Sequence, residues 1–368
     1  MNENHRSIFK LFLAADIGSI RLSRLLAVFG EPKHILNASK SDLLAFEGIG
    51  EDIAKRILNA KDYNKQADEE IKLAAKNSIV ISVDGDENYP SALLPFSDRP
   101  PIIYIKGTII EKDFDSIGIV GSRKITPYGK RTTEDFASFF AKNSITVISG
   151  LARGIDAQAH KSALENNGRT IAVLGNGLLV NYPPENKSLQ TAIPDNGAVI
   201  SEFPLLSKPD RTTFPRRNRI VAALSKALLV VEAAKNSGAL ITAKFAADYG
   251  KDVFAVPSNI YNESSKGVNE LIANGAFAAV NPRDMALRLS FFNLKKLAKE
   301  SKKTYISALS EQEKSVLKII EIEQEGIHID LIADKLNINI SQLSSILFNL
   351  ELNELVECLM GKIYVRKY

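Results

Sequence analysis

Apolar residues recur along this chain in two rhythms. Up to about residue 60 they fall at helical spacing, so Ser7 to Ala60 reads as a run of short helices. From Ile79 the pattern changes to short β-branched runs separated by helical stretches. It predicts strands at Ser116–Gly121, Ile145–Gly150, Thr170–Gly175, Ala198–Phe203, Ala227–Glu232, Asp252–Val256 and Phe277–Val280. Helices are expected over Thr126–Asn143, from near Asp156, after Pro215, over Ser237–Tyr249 and over Val268–Ala273. Runs this short and this apolar belong to a parallel sheet covered on both faces. The expectation is a doubly wound α/β domain with its ligands at the carboxyl ends of the strands. Two further runs, Ile79–Val83 and Ile102–Ile105, lead into it.

The ends follow other patterns. Asp42 to Ile57 contains Gly48-Ile49-Gly50 between two apolar-faced helices, the spacing of a helix-hairpin-helix, whose glycines let backbone amides approach a phosphate. Lys55 and Arg56 are its nearby cations, and a helical packing module that keeps the turn without DNA reads equally well. Leu294 to Lys303 is a cationic connector. Beyond it Ser310-Glu311-Gln312-Glu313 makes a capping box. Helices at Asp330–Leu336 and Ser341–Leu350 and a hairpin over Val356–Val365 then complete a winged helix. The expected domains are 1–75 (helical), 76–290 (α/β), 291–304 (basic linker) and 305–368 (winged helix).

Charge sharpens this picture. The chain of 368 residues carries a net charge of only +4, yet Lys208 to Lys244 alone carries +6. Positive charge so concentrated is a recognition surface for a polyanion. At its centre stands Phe214-Pro215-Arg216-Arg217-Asn218-Arg219, and guanidinium forks bind phosphate oxygens bidentately and stay charged at any relevant pH. The winged helix, Tyr305 to Tyr368, is instead acidic at −4. That suits a protein-binding or regulatory module better than one gripping a duplex. The single cysteine, Cys358, forms no internal disulfide and supplies no cysteine-based metal site. Met1 to Lys10 lacks the apolar core of a secretion signal, and no apolar run approaches the length of a membrane span, so a cytoplasmic protein is expected.

The strand-to-helix turns are rich in small residues. Gly121-Ser122-Arg123-Lys124, with Thr126-Pro127-Tyr128-Gly129 opening the next helix, can make an anion socket from backbone amides, a helix dipole and two cations. Its glycine spacing matches neither a Walker loop nor Gly-x-Gly-x-x-Gly, so no nucleotide or dinucleotide cofactor is expected. Ser149, Asp156 and His160 could be drawn as a catalytic trio, but the serine is not in a nucleophile elbow, and a capping network explains them better. Lys235 and Ser237-Gly238 form another phosphate-suited helix start. Phe214, Tyr128 and Tyr182 can stack bases or serve as core or rim, and a basic groove interleaved with aromatics matches single-stranded nucleic acid.

Six segments in this order resemble the DNA-processing protein A family, also called Smf. They are Gly121-Ser122-Arg123, Ser149 to Asp156 with His160, Val173 to Gly177 with Tyr182-Pro183, Phe214 to Ile220, Ser237 to Ala243 and Ser265 to Ile272. The resemblance covers about Ile79 to Leu289 and implies an extended Rossmann-like domain between a helix-hairpin-helix or SAM-like module and a winged helix. It implies a non-catalytic homodimer that binds single-stranded DNA, protects incoming DNA in natural transformation and helps load the recombinase RecA. Carried over by position, Arg123 is a principal DNA contact. Gly121, Ser122, Lys124 and Tyr128 lie beside it, with Arg153 from the second turn and Gly175 and Asn176 from the third. The cluster of Phe214, Arg216, Arg217, Asn218 and Arg219 follows, then Lys235, Ser237, Gly238, Lys266 and Asn269. One departure stands after Val256-Pro257, where Ser258 replaces the family's usual glycine.

The rival reading is a phosphoribohydrolase of the lysine-decarboxylase-like type on the same architecture. That chemistry needs a Pro-Gly-Gly-x-Gly-Thr loop and a glutamate on the following helix. Here the segment is Ser237 to Lys244, with no acid before Asp248. A pure interaction scaffold would leave the +6 segment without a role.

Overall fold

The computed structural model describes residues 2–289, 309–323, 326–352, 355–359 and 361–366. It divides into two compact units, Met1–Arg288 and Leu289–Tyr368. The N-terminal helices and the sheet both fall within the first of these units. The cationic connector at Leu294 to Lys303, and with it the linker 291–304, lies outside the described residues.

Nine strands form the central sheet: β1 (Ile79–Val83), β2 (Ile102–Gly107), β3 (Ser116–Val120), β4 (Thr146–Ser149), β5 (Thr170–Leu174), β6 (Gly197–Ser201), β7 (Ala227–Val230), β8 (Asp252–Ala255) and β9 (Phe277–Ala278). Their spatial order is β1-β2-β6-β5-β4-β3-β7-β8-β9. From β6 to β9 every pairing is parallel. β3 to β7 are buried at every position, which is why they read as continuous apolar runs rather than alternating ones. The chain builds outward from β3 to β6 and then returns to place β7 on the other side of β3. That reversal is a topological switch point, where the turns leaving β3 and β7 splay apart and open a crevice. β1 and β2 extend the sheet antiparallel, Tyr104 opposite Ser201, which their lone apolar runs did not disclose.

Alternate residues of the strands feed two cores. Ile103, Ile105, Ile171, Val173 and Ile200 pack with Ile220 to Leu224 of the helix Thr213–Leu224. Ile102, Tyr104, Ala172 and Leu174 face the other way, onto Phe9 and Phe12 of the helix Glu3–Ala15 and Ala67 and Ala74 of the helix Asn64–Lys76. Burying each phenylalanine contributes about 1.5–3 kcal/mol, which fastens the N-terminal helices to the sheet. Between those helices run Ser19–Phe29, Pro32–Leu36, Lys40–Leu44 and Glu51–Ala60, closed around Leu11, Leu25, Ile35, Leu43 and Ile57. The Gly48-Ile49-Gly50 turn is present, with Gly50 as the N-cap of Glu51–Ala60. Glu51 and Asp52 occupy the first turn of that helix, and carboxylates there neutralise the dipole that a phosphate would need.

The second unit is a winged helix. Helices Glu311–Ile322, Ile329–Leu336 and Ile340–Leu352 enclose Val316, Ile320, Ile332, Leu343 and Leu347. Ser310 and Glu313 form the expected reciprocal cap. The wing is β11 (Val356–Leu359) against β12 (Ile363–Arg366), joined by the two-residue β10 (Ile327–His328), a strand too short to carry a sequence period. Among the described residues no helix is long and apolar enough to cross a membrane.

Candidate nucleic-acid interface

A cavity of about 510 Å³ occupies the switch point. The β3 turn contributes Gly121 and Arg123, the β4 turn Gly150 and Ala152, and the β7 turn Ser237 and Gly238. The helix Thr213–Leu224 closes it with Phe214, Arg217, Asn218 and Val221, residues that share one helical face. Each turn sits where the sequence places a helix start. Thr126 caps Pro127–Lys142 by accepting from Gly129 N at 3.0 Å, and Ser237 caps Gly238–Asp248 by accepting from Ala239 N at 3.3 Å.

Arg217 is the floor of this site. It is 4% exposed, and its guanidinium donates to the carbonyls of Gly150 and Val173. Burial pulls its pKa down, to about 10, so it remains charged at neutral pH. Gly150 is required beneath it, since a Cβ there would stand 2.4 Å from the guanidinium carbon. Asp156 supplies a favourable opposite charge from nearby. It is buried in the first turn of Ile155–Glu165 and accepts from Gly150 N at 3.1 Å and Ala152 N at 3.4 Å. Burial raises its pKa, while Arg217, those two amides and Arg123 work in the opposite direction. The mouth is aromatic and cationic. Arg123 lies over the Phe214 ring with its guanidinium carbon 5.1 Å from the centroid, and Tyr182 stands beside Phe214 at 5.7 Å. Gly175 leaves room for that ring, because a Cβ would meet it at 2.9 Å.

The three arginines of the Phe214–Arg219 cluster do not form one row. Arg217 faces this cavity, whereas Arg216 and Arg219 line a different one with the N-terminal helices. There they are already neutralised. Arg216 pairs with Asp16 at 2.7 Å and with Glu202 at 3.1 Å, and Arg219 binds the same Glu202 carboxylate and the carbonyl of Asp98. Glu202 is fully buried, and burial raises its pKa against the pull of Arg219 and Arg216. The +6 counted along the chain is thus not +6 at one surface.

Comparison with known proteins gives the lineage. The family model described as DNA recombination-mediator protein A matches residues 80–290, and the DprA winged helix domain matches 300–362. Protein Smf of Synechocystis is 37% identical over 290 residues, 78% of this chain and 73% of its own length. The chain belongs to the DNA recombination-mediator protein A family. The structure of DNA processing protein A from Streptococcus pneumoniae superimposes with a TM-score of 0.67 at 30% identity, covering 80% of this chain and all of that one. A structure of the Helicobacter pylori protein, titled for its single-stranded DNA binding mode, gives 0.50 at 33% identity over 56% of this chain and 93% of that one.

In this member of the recombination-mediator family, the remaining residues carried over by position scatter. Ser122 serves its own turn, its hydroxyl donating to Lys124 O at 2.9 Å, and Lys124 is exposed. Tyr128 donates to Pro257 O at 3.0 Å. A narrow cleft joins Arg123, Phe214 and Arg217 to Arg153, Gly175 and Asn176. Arg153 is held there by Glu185, and the Asn176 amide is buried, donating to Gly177 O and Val180 O at 3.0 and 2.8 Å. Lys235 lines a neighbouring groove with Ser237, Ile241 and Lys244. Lys266 pairs with Glu263, and Asn269 bonds the backbone of Ser258 at 3.3 and 3.0 Å. Neither lines the switch-point cavity. The sequence reading missed Asp156 as a wall of the site and Arg211 as a lining cation. Asp156 was visible only as a helix cap, while Arg211 lay in plain view within the basic segment.

Ser149, Asp156 and His160 each have other partners. Ser149 donates to Ile119 O at 2.5 Å, Asp156 holds the Gly150 turn, and His160 Nδ1 meets Thr170 Oγ1 at 2.7 Å. Burial pushes the His160 pKa down to about 3, and Arg217 adds to the effect. Among the described residues no group of three or more His, Cys, Asp or Glu side chains is placed to hold a metal ion.

Proposed function

We propose that this protein binds single-stranded DNA in the switch-point cavity and processes DNA in natural transformation and recombination without turning over a substrate of its own. The reading includes a homodimeric, cytoplasmic protein with RecA recombinase as its partner, which rests on the family resemblance. The observation that carries DNA binding is Arg123 lying over Phe214, with Tyr182 alongside and Arg217 beneath. A flexible strand can stack an unpaired base on those rings and set its phosphate against the guanidinium and the Ser237 helix start. A duplex keeps its bases stacked and has nothing to offer the aromatic mouth.

Filter binding with single-stranded and duplex DNA at two salt concentrations tests this. Single strands are expected to bind more tightly, with affinity falling as salt rises through counterion release. Arg123→Ala is expected to weaken the single strand by tenfold or more, since a charge-assisted contact contributes about 1.5–3 kcal/mol. Equal affinity for duplex counts against the cavity. Release of free base from nucleoside monophosphates at catalytic rates would favour the hydrolase instead.

A further inference from the structure

The helix Thr213–Leu224 has a cavity on each side, and the second is unassigned. It holds about 420 Å³ between Arg216, Arg219 and Asp98 on one wall and the N-terminal module on the other. The module contributes Gly18, Ser19, Arg21 and Arg24 from the start of Ser19–Phe29, and Phe46, Glu47 and Gly48 from the Gly-Ile-Gly turn. Helix Ser19–Phe29 is 11 residues long, and its start is open: Gly18 supplies no side-chain cap and the first turn carries no acid. Ser19 is 6% exposed, and its hydroxyl is buried without a hydrogen-bond partner. Arg21 and Arg24 sit one turn apart, and among the described residues neither has an ion-pair or hydrogen-bond partner. The acids nearby are mostly engaged. Asp16 is bound by Arg216, Glu202 by both cluster arginines, and Asp98 accepts the Tyr249 hydroxyl at 2.6 Å. Glu47 is the remaining acid of the lining.

Unpartnered donors around an uncapped helix start are the chemistry of a phosphate seat. We propose that this cavity holds a backbone phosphate of the same single strand, downstream or upstream of the segment in the switch-point cavity. The proposal rests on the DNA-binding reading above and extends it to the N-terminal module. Arg216 and Arg217 are consecutive yet open on different cavities, so one helix carries both seats. A strand linking them must pass around a helix about 10–12 Å across, which takes several nucleotides. An oligonucleotide that only fills the first cavity does not reach the second.

The full-length chain is titrated by fluorescence anisotropy with oligothymidylates of about 4 and about 16 nucleotides, the range of site sizes of single-strand grooves. Two variants accompany the native protein. Arg21→Ala/Arg24→Ala removes the free cations. Gly18→Asp puts a carboxylate at the helix N-cap, where aspartate is a preferred cap and the backbone is already extended with open space for a Cβ, so the fold is retained. Both variants are expected to weaken the long oligonucleotide about tenfold and leave the short one unchanged. Equal affinity of all three proteins for the long strand, or a parallel loss for both lengths, overturns the second seat. Inorganic phosphate that abolishes the advantage of the long strand without displacing the short one supports the seat, because it competes for the same donors. If the native protein binds neither length, it is the DNA-binding reading itself that fails.

Discussion

The two sides of the helix Thr213–Leu224 make an instructive pair. On one side Arg217 is buried with Asp156, its donors go to the carbonyls of Gly150 and Val173, and Arg123 stands above it over an aromatic ring. On the other side Arg216 and Arg219 converge on the fully buried Glu202, and Asp16 reaches in from the N-terminal helices. The same basic hexapeptide therefore lines an open cavity with Arg217 on one face and binds a buried carboxylate with Arg216 and Arg219 on the other. A count of cations along a chain measures charge, whereas recognition depends on charge left without a partner.

The largest test of this contrast is Arg217→Ala. It leaves Asp156 buried without that nearby opposite charge and two carbonyls without donors, so a loss of about 3–5 kcal/mol is expected in urea unfolding. A loss below about 1 kcal/mol would show that Arg217 is a surface ligand group and not the floor. On the side of the buried carboxylate Glu202→Gln keeps an acceptor but removes the charge that neutralises two guanidiniums. A destabilisation of about 1–3 kcal/mol is expected, together with a steeper salt dependence of binding to long single strands. An unchanged salt slope would mean that the released cations never meet the strand.

A pH series separates the sides further. The His160 pKa is depressed from 6.5 to about 3 by burial, so its contribution is fully present above the unfolded value and is lost as pH falls from about 6.5 toward 3. His160→Leu should flatten that part of the stability profile, and an unaltered acid slope would place the proton uptake elsewhere. The smallest effect is expected at Asp16. Its carboxylate is 60% exposed, so Asp16→Asn should change stability by at most about 1 kcal/mol, although it spans the junction between the helical module and the sheet. A larger loss would make that pair the main tie of the module in place of Phe9 and Phe12.

Much of the fold was legible because it is written locally. β3 to β7 are short apolar runs buried on both faces, and Thr126-Pro127 and Ser237-Gly238 mark helix starts by capping chemistry alone. The carboxyl-end turns that make the cavity followed from the same pattern, so Gly121, Arg123, Phe214, Arg217, Asn218, Ser237 and Gly238 could be named in advance and do line one space. The antiparallel seat of β2 beside β6 could not be read, because a lone apolar run carries no direction. Nor could the roles of Asn176 and Asn269, whose amides are consumed by nearby backbone in turns of irregular geometry.

By itself the sequence determined the elements, the glycine-rich turns at the strand ends and the basic segment, since propensity, periodicity and capping act over a few residues. The tertiary structure alone decided which cations are available. Arg216 meets Asp16 across 200 positions of chain, and Glu202 is set against Arg219 by the packing of β6 and the helix Thr213–Leu224 on one sheet. Neutralising a charge requires two groups within a few ångströms, and that distance exists only after the sheet has closed.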